Sequence, residues 1–147
     1  MKTYVGEVGK FQTVQEAANA IWEISKSFGP HTTEEWLALS QNMVRRLEDG
    51  TYCLHYDPQL RVPIRALTEE QAKAGEATLW QIYDLIQCPT LLIRGAESEL
   101  LSAAAALEMT QRGARAQLAT LPGVGHAPTL THQDQIDIVR QFLGLPA

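Results

Sequence analysis

Two carboxylates and one histidine stand where neighbouring parallel strands would deliver them to a single rim. Glu97 and Glu99 lie in Gly95-Ala96-Glu97-Ser98-Glu99, directly after the apolar run Thr90-Leu91-Leu92-Ile93-Arg94. His126 lies in Pro122-Gly123-Val124-Gly125-His126, directly after Arg115–Leu121, a second stretch with the character of a strand. A carboxylate that accepts from one imidazole nitrogen fixes the tautomer and leaves the other nitrogen free as a base. In an open parallel sheet the ligand crevice lies beyond the carboxyl ends of the strands, so the two loops would share it. The glycines before His126 let the backbone turn sharply and place the ring over that crevice. The spacing alone also fits a plainer reading, with His126 opening a helix and both glutamates as solvated loop acids.

The other polar residues offer less. Cys53 and His55 alternate onto one face of a possible strand, but two ligands do not make a zinc site. His126 and His132 are separated across Pro128 and lack the i, i+4 helical spacing of paired metal-binding histidines. His31 follows Gly29-Pro30 and is expected to be solvated in an exposed turn. Trp22, Trp36 and Trp80 fall on amphipathic stripes and read as core. Phosphate-loop, dinucleotide and flavin signatures are missing from the sequence, so neither cofactor nor metal is expected.

These residues need a scaffold, and the chain is long enough for one. Its 147 residues are 45% apolar and 20% charged, the balance of an ordinary globular domain rather than a disordered chain. The net charge is −5 and the basic residues are scattered, which argues against nucleic acid as a partner. Apolar runs stay far below the roughly 20 residues that span a bilayer, so no membrane role is expected. Met1–Glu7 carries a charge but no apolar stretch and does not read as a signal peptide. Cys53 and Cys88, with no CxxC spacing, suit two buried thiols in a reducing compartment. The expectation is a cytoplasmic protein.

The first 87 residues read as a helical region. Thr13-Val14-Gln15-Glu16 and Thr32-Thr33-Glu34-Glu35 are capping boxes. The first opens a helix carrying Ala17, Ala18, Ile21, Trp22 and Ser25. The second opens one whose stripe runs through Trp36, Leu39, Met43, Val44 and Leu47, closed by Asp49-Gly50. Residues 51–56 have β propensity but stand alone. Thr68-Glu69-Glu70-Gln71 starts a short helix interrupted at Gly75, and a further helix carries Leu79 to Ile86. From residue 88 to 147 the pattern is strand, helix, strand, helix. Residues 90–94 read as a strand buried on both faces, and Ser102 caps a helix through Ala103–Arg112, with Gly113 just past its end. The final helix, about 131–143, sets Ile136, Val139, Phe142 and Leu143 inward. Such a βαβα unit predicts two parallel strands joined by a right-handed crossover.

The segments around the three candidate residues also carry a resemblance. Cys88 to Ser102 resembles the seventh strand and acid loop of the α/β-hydrolase family. Leu121 to Leu130 resembles that family's eighth strand and histidine loop, and the helical region before Pro89 resembles its inserted cap. The resemblance implies the C-terminal half of an α/β-hydrolase: an incomplete parallel sheet, with the cap in 1–87 and the core unit in 88–147. It favours Glu99 as the triad acid, because Glu99-Leu100-Leu101-Ser102 matches the acid-loop pattern. Glu97 is the runner-up, and a third option places the acid after the sixth strand, outside this chain. The Gly-x-Ser-x-Gly elbow of the family is absent, since none of the five serines has glycines two residues to either side. The family's first six strands and oxyanion-hole segment would precede Met1.

The implied function is hydrolysis of a small, largely apolar ester or related substrate, with the chain supplying cap, acid and histidine but not the nucleophile. The competing expectation is a non-catalytic half-protein that self-associates or docks on a complementary N-terminal half. Because both loops leave the carboxyl ends of adjacent parallel strands, the triad reading expects His126 within hydrogen-bond reach of Glu99 or Glu97.

Overall fold

The computed structural model describes residues 9–145, without the side chains of residues 61, 64 and 65. The reading of Met1–Glu7 lies outside the described residues. The described residues divide into two compact units: one contains residues up to Lys26 together with His31–Ala72, the other contains Ser27–Pro30 and Lys73 onward.

The first unit is built on two capped helices. Helix α1 (Val14–Ser25) starts at Thr13, whose hydroxyl accepts from Glu16 N–H at 3.1 Å. Helix α2 (Thr33–Gln41) has a complete capping box: Thr32 Oγ1 accepts from Glu35 N–H, and Glu35 Oε2 accepts from Thr32 N–H at 2.8 Å. Ala17, Ala18 and Ile21 of α1 are buried, as is Trp36 of α2, whose indole N–H donates to Ala18 O at 2.8 Å. The small Ala17-Ala18 pair lets the indole lie against the α1 backbone. Trp22 meets Trp36 edge-on at 4.9 Å between ring centroids.

The expected continuation of α2 through Leu47 is not what forms. Strand β2 (Val44–Arg46) takes those residues and pairs antiparallel with β3 (Tyr52–Leu54), which in turn pairs with β1 (Lys10–Phe11). Residues 51–56 therefore do not stand alone. The turn between β2 and β3 is tied down by Asp49, which accepts from Thr51 N–H at 3.0 Å and from Lys10 Nζ at 2.8 Å. Both partners hold the Asp49 carboxyl below the usual carboxylate range. Helix α3 (Arg61–Ala66) follows.

Helix α4 (Glu69–Asp84) is one uninterrupted element across Gly75. Its start is a second reciprocal capping box, with Thr68 and Gln71 exchanging hydrogen bonds at 3.0 and 3.2 Å. A mid-helix glycine costs roughly 1 kcal/mol relative to alanine, too little to break sixteen residues of helix.

The second unit contains the predicted βαβα arrangement. Strand β4 (Leu91–Gly95) pairs in parallel with β5 (Gln117–Leu121), in register from Leu91↔Gln117 to Gly95↔Leu121. Between them runs α5 (Ala103–Gln111), capped by Ser102 Oγ accepting from Ala105 N–H at 3.1 Å. Helix α6 (Gln133–Phe142) closes the unit. Arg112 binds α4 to α5: it pairs with Asp84 and Glu108, and its guanidinium stacks on Trp80 at 4.6 Å. Tyr83 adds a hydrogen bond from its hydroxyl to Met109 O at 2.6 Å.

Three burial expectations change. Leu91, Leu92 and Ile93 are half-buried rather than enclosed on both faces, because β4 has a single strand neighbour among the described residues. Leu143, at the C-cap of α6, is exposed, whereas Ile136, Val139 and Phe142 are half-buried. Cys53 is buried at the centre of β3, but Cys88 is exposed in the loop before β4.

Candidate active site

The parallel register decides where the loops after β4 and β5 emerge: both leave the carboxyl ends of paired strands, so both occupy one rim. Backbone hydrogen bonds then join them directly. Ala96 N–H donates to Leu121 O at 2.8 Å, and Glu97 N–H donates to Val124 O at 2.9 Å. Only glycine fits at position 95, where a β-carbon would run into the carbonyls of Val124 and Gly125. Gly125 is confined in the same way by Ser27, against whose backbone and side chain a β-carbon would press at 2.8 Å. These contacts set the peptide just before His126 beside the strand end that leads to the acids.

Glu97, Glu99 and His126 are all exposed, while Ser98 between the two glutamates is buried. Among the described residues no hydrogen bond or ion pair joins His126 to either glutamate. The expected bond is thus not made in this structure, although the loops that would make it are joined. The reason is local: the backbone fixes where the loops run, whereas the three side chains are exposed to solvent. Hydrogen bonds of this kind are often open in unliganded sites and close when a substrate excludes water.

The acid loop is shaped from beneath by a residue that the sequence reading passed over. Arg94, the last polar-ended residue of β4, is buried and donates to three carbonyls of the loop. On the other loop, buried Gln135 accepts from Leu130 N–H at 2.9 Å and steadies the segment after His126. Arg94 could have been noticed as a lone cation inside an apolar strand. Gln135 carried no such signal.

The remaining sequence candidates are placed elsewhere or serve packing. His31 is half-buried against Trp22 and Trp36, at 6.3 and 5.5 Å between ring centroids, and is not a solvated turn residue. Cys53 is buried and His55 exposed beyond the end of β3. No group of three or more potential metal ligands occurs among the described residues. Among them, too, no helix is long and apolar enough to cross a membrane. Leu100 and Leu101, immediately after Glu99, line an open apolar groove of about 580 Å³ with Leu79, Ile82, Ile86 and Met109.

No family model matches the chain. It is 42% identical over 142 residues to a 3-hydroxybutyrate-oligomer hydrolase from Cupriavidus necator, a match covering 95% of this chain and 48% of that protein. An α/β-hydrolase structure from Novosphingobium aromaticivorans superposes with a TM-score of 0.79 at 29% identity, covering 97% of this chain and 50% of that one. An esterase from M. tuberculosis shares the fold at a TM-score of 0.66 and 21% identity, over 92% of this chain and 43% of its own. The chain spans about half the length of the proteins it matches. Its fold is that of the C-terminal half of an α/β-hydrolase.

Proposed function

We propose that the chain provides the cap, the acid and the histidine of an α/β-hydrolase acting on a small, largely apolar ester. In this reading His126 takes the proton from a nucleophile and returns it to the leaving group. Glu99 orients the imidazole and stabilises its cation, with Glu97 as the alternative acid. The nucleophile and the oxyanion donors come from the complementary half of the fold, because no nucleophile elbow lies within these 147 residues. The name of the similar Cupriavidus necator protein points to oligoesters of a short hydroxy acid as the first substrates to try.

The observation that carries this reading is the Glu97 N–H···O=C Val124 bond of 2.9 Å, which joins the acid loop to the histidine loop. The test is a chimera in which this chain replaces the matched 142-residue segment of the Cupriavidus necator hydrolase. Hydrolysis of hydroxybutyrate oligomers that requires His126 is the expected outcome. A folded chimera whose activity survives His126→Ala would reject the assignment.

A second reading, a non-catalytic half that self-associates or docks on a partner, draws on a different observation. The β4–β5 sheet has two strands, and Leu79, Ile82 and Leu85 on or just beyond α4 are 66%, 56% and 77% exposed. Such surfaces favour association. The two readings separate on activity, since only the first places a functional requirement on His126.

A further inference from the structure

We infer that Arg94 is the positioning residue of the acid loop, holding by hydrogen bonds the turn that carries Glu99. This rests on the reading of Glu99 and His126 as a working pair. Arg94 is 9% exposed, and its guanidinium is spread over one loop. Nε donates to Leu101 O at 2.7 Å, Nη1 to Ala96 O at 3.2 Å, and Nη2 to Ser98 O at 3.4 Å. Glu99 lies inside the span that these three carbonyls bracket.

A buried cation ordinarily has a carboxylate partner, because burial without compensation is costly. Among the described residues Arg94 has no ion pair, and backbone carbonyls take that place. The charge therefore does not neutralise an acid; it dictates the path of a turn. The loop adds bonds of its own: Ser98 N–H to Gly95 O at 3.1 Å and Leu101 N–H to Ser98 Oγ at 3.2 Å. With Ser98 drawn inward, its two neighbours in sequence, Glu97 and Glu99, are left on the outer side of the turn. Lysine cannot substitute, since a single ammonium is a point donor and not a planar fork reaching three acceptors.

Amide hydrogen exchange and side-chain nuclear Overhauser effects on the chain and its Arg94→Lys and Arg94→Met variants test this. In both variants the amides of Ala96, Glu97, Ser98 and Leu101 are expected to exchange at least about tenfold faster, with those across β4 and β5 unchanged. Unchanged loop amides in both variants would overturn the inference. So would acceleration shared equally by the strands, which marks a general loss of stability; Arg94→Lys, the milder change, keeps the test open if Arg94→Met fails to fold. Overhauser contacts between Glu99 and His126 in the wild type report on the working pair separately. If they are missing while the loop amides respond, the role of Arg94 in the loop stands, and the pairing is decided by the rate of Glu99→Gln in the hydrolase chimera. If they are present and persist in Arg94→Lys, Arg94 does not position Glu99.

Discussion

Glu97 and Val124 are bonded backbone to backbone, N–H to carbonyl, at 2.9 Å, across the ends of two parallel strands. Together with Ala96 N–H to Leu121 O at 2.8 Å, this bond makes neighbours of two loops separated in sequence by a whole helix–strand unit. It also explains why position 95 is glycine, since the carbonyls that follow β5 approach the β4 backbone more closely than any side chain permits.

Gly95→Ala should therefore be among the more damaging small substitutions in the second unit. The added methyl meets backbone, which cannot rotate away. Overpacking of this kind costs about 1–3 kcal/mol, enough to lower the urea midpoint clearly. A midpoint within error of the wild type would show that the two loops separate freely.

The Arg112 cluster makes a pH-dependent prediction. The guanidinium beside Asp84 holds that carboxyl below its ordinary value of 3.8. A depressed carboxyl contributes stability above its unfolded value, and the contribution is lost as pH falls through the folded value. Asp84→Asn should lower the denaturation midpoint slightly at neutral pH, and the difference should shrink as pH falls through the depressed folded value. An unchanged difference at acid pH would mean that packing of the side chain, not its charge, matters.

Much of this architecture is legible in residue patterns, and the exceptions share a cause. Thr13, Thr32 and Thr68 each sit where a capping pattern places a helix start, and each accepts the bond that the pattern implies. The βαβα order likewise yields the parallel pairing. Local pattern fails at Val44–Arg46, where apolar spacing fits a helix but pairing with Tyr52–Leu54 decides otherwise. It fails again at His31, whose aromatic partners are brought near by the packing of α1 on α2. At the site, topology predicts the shared rim. Arg94 escaped notice because its three acceptors are carbonyls, which every residue possesses and no motif reveals.

The isolated chain should associate. Strand β4 has one strand partner among the described residues, and unsatisfied strand groups away from water cost about 1–3 kcal/mol each. β1 and β3 do not complete the β4–β5 sheet, because they form a sheet of their own with β2. Light scattering at micromolar concentrations should give a mass above that of one chain. A monomer with cooperative unfolding would show that the exposed β4–β5 edge and α4 face are tolerated in water.

The most direct measurement of the central claim is a double-mutant cycle in the hydrolase chimera, with His126→Ala, Glu99→Gln and both together. If Glu99 acts through His126, each single change lowers kcat by about 10²–10⁴-fold, and the double variant falls little below His126→Ala. Glu97→Gln should leave the rate near wild type. Rate losses from Glu99→Gln and His126→Ala that multiply in the double variant, or a Glu99→Gln enzyme with full activity, would contradict the pairing and place the acid elsewhere.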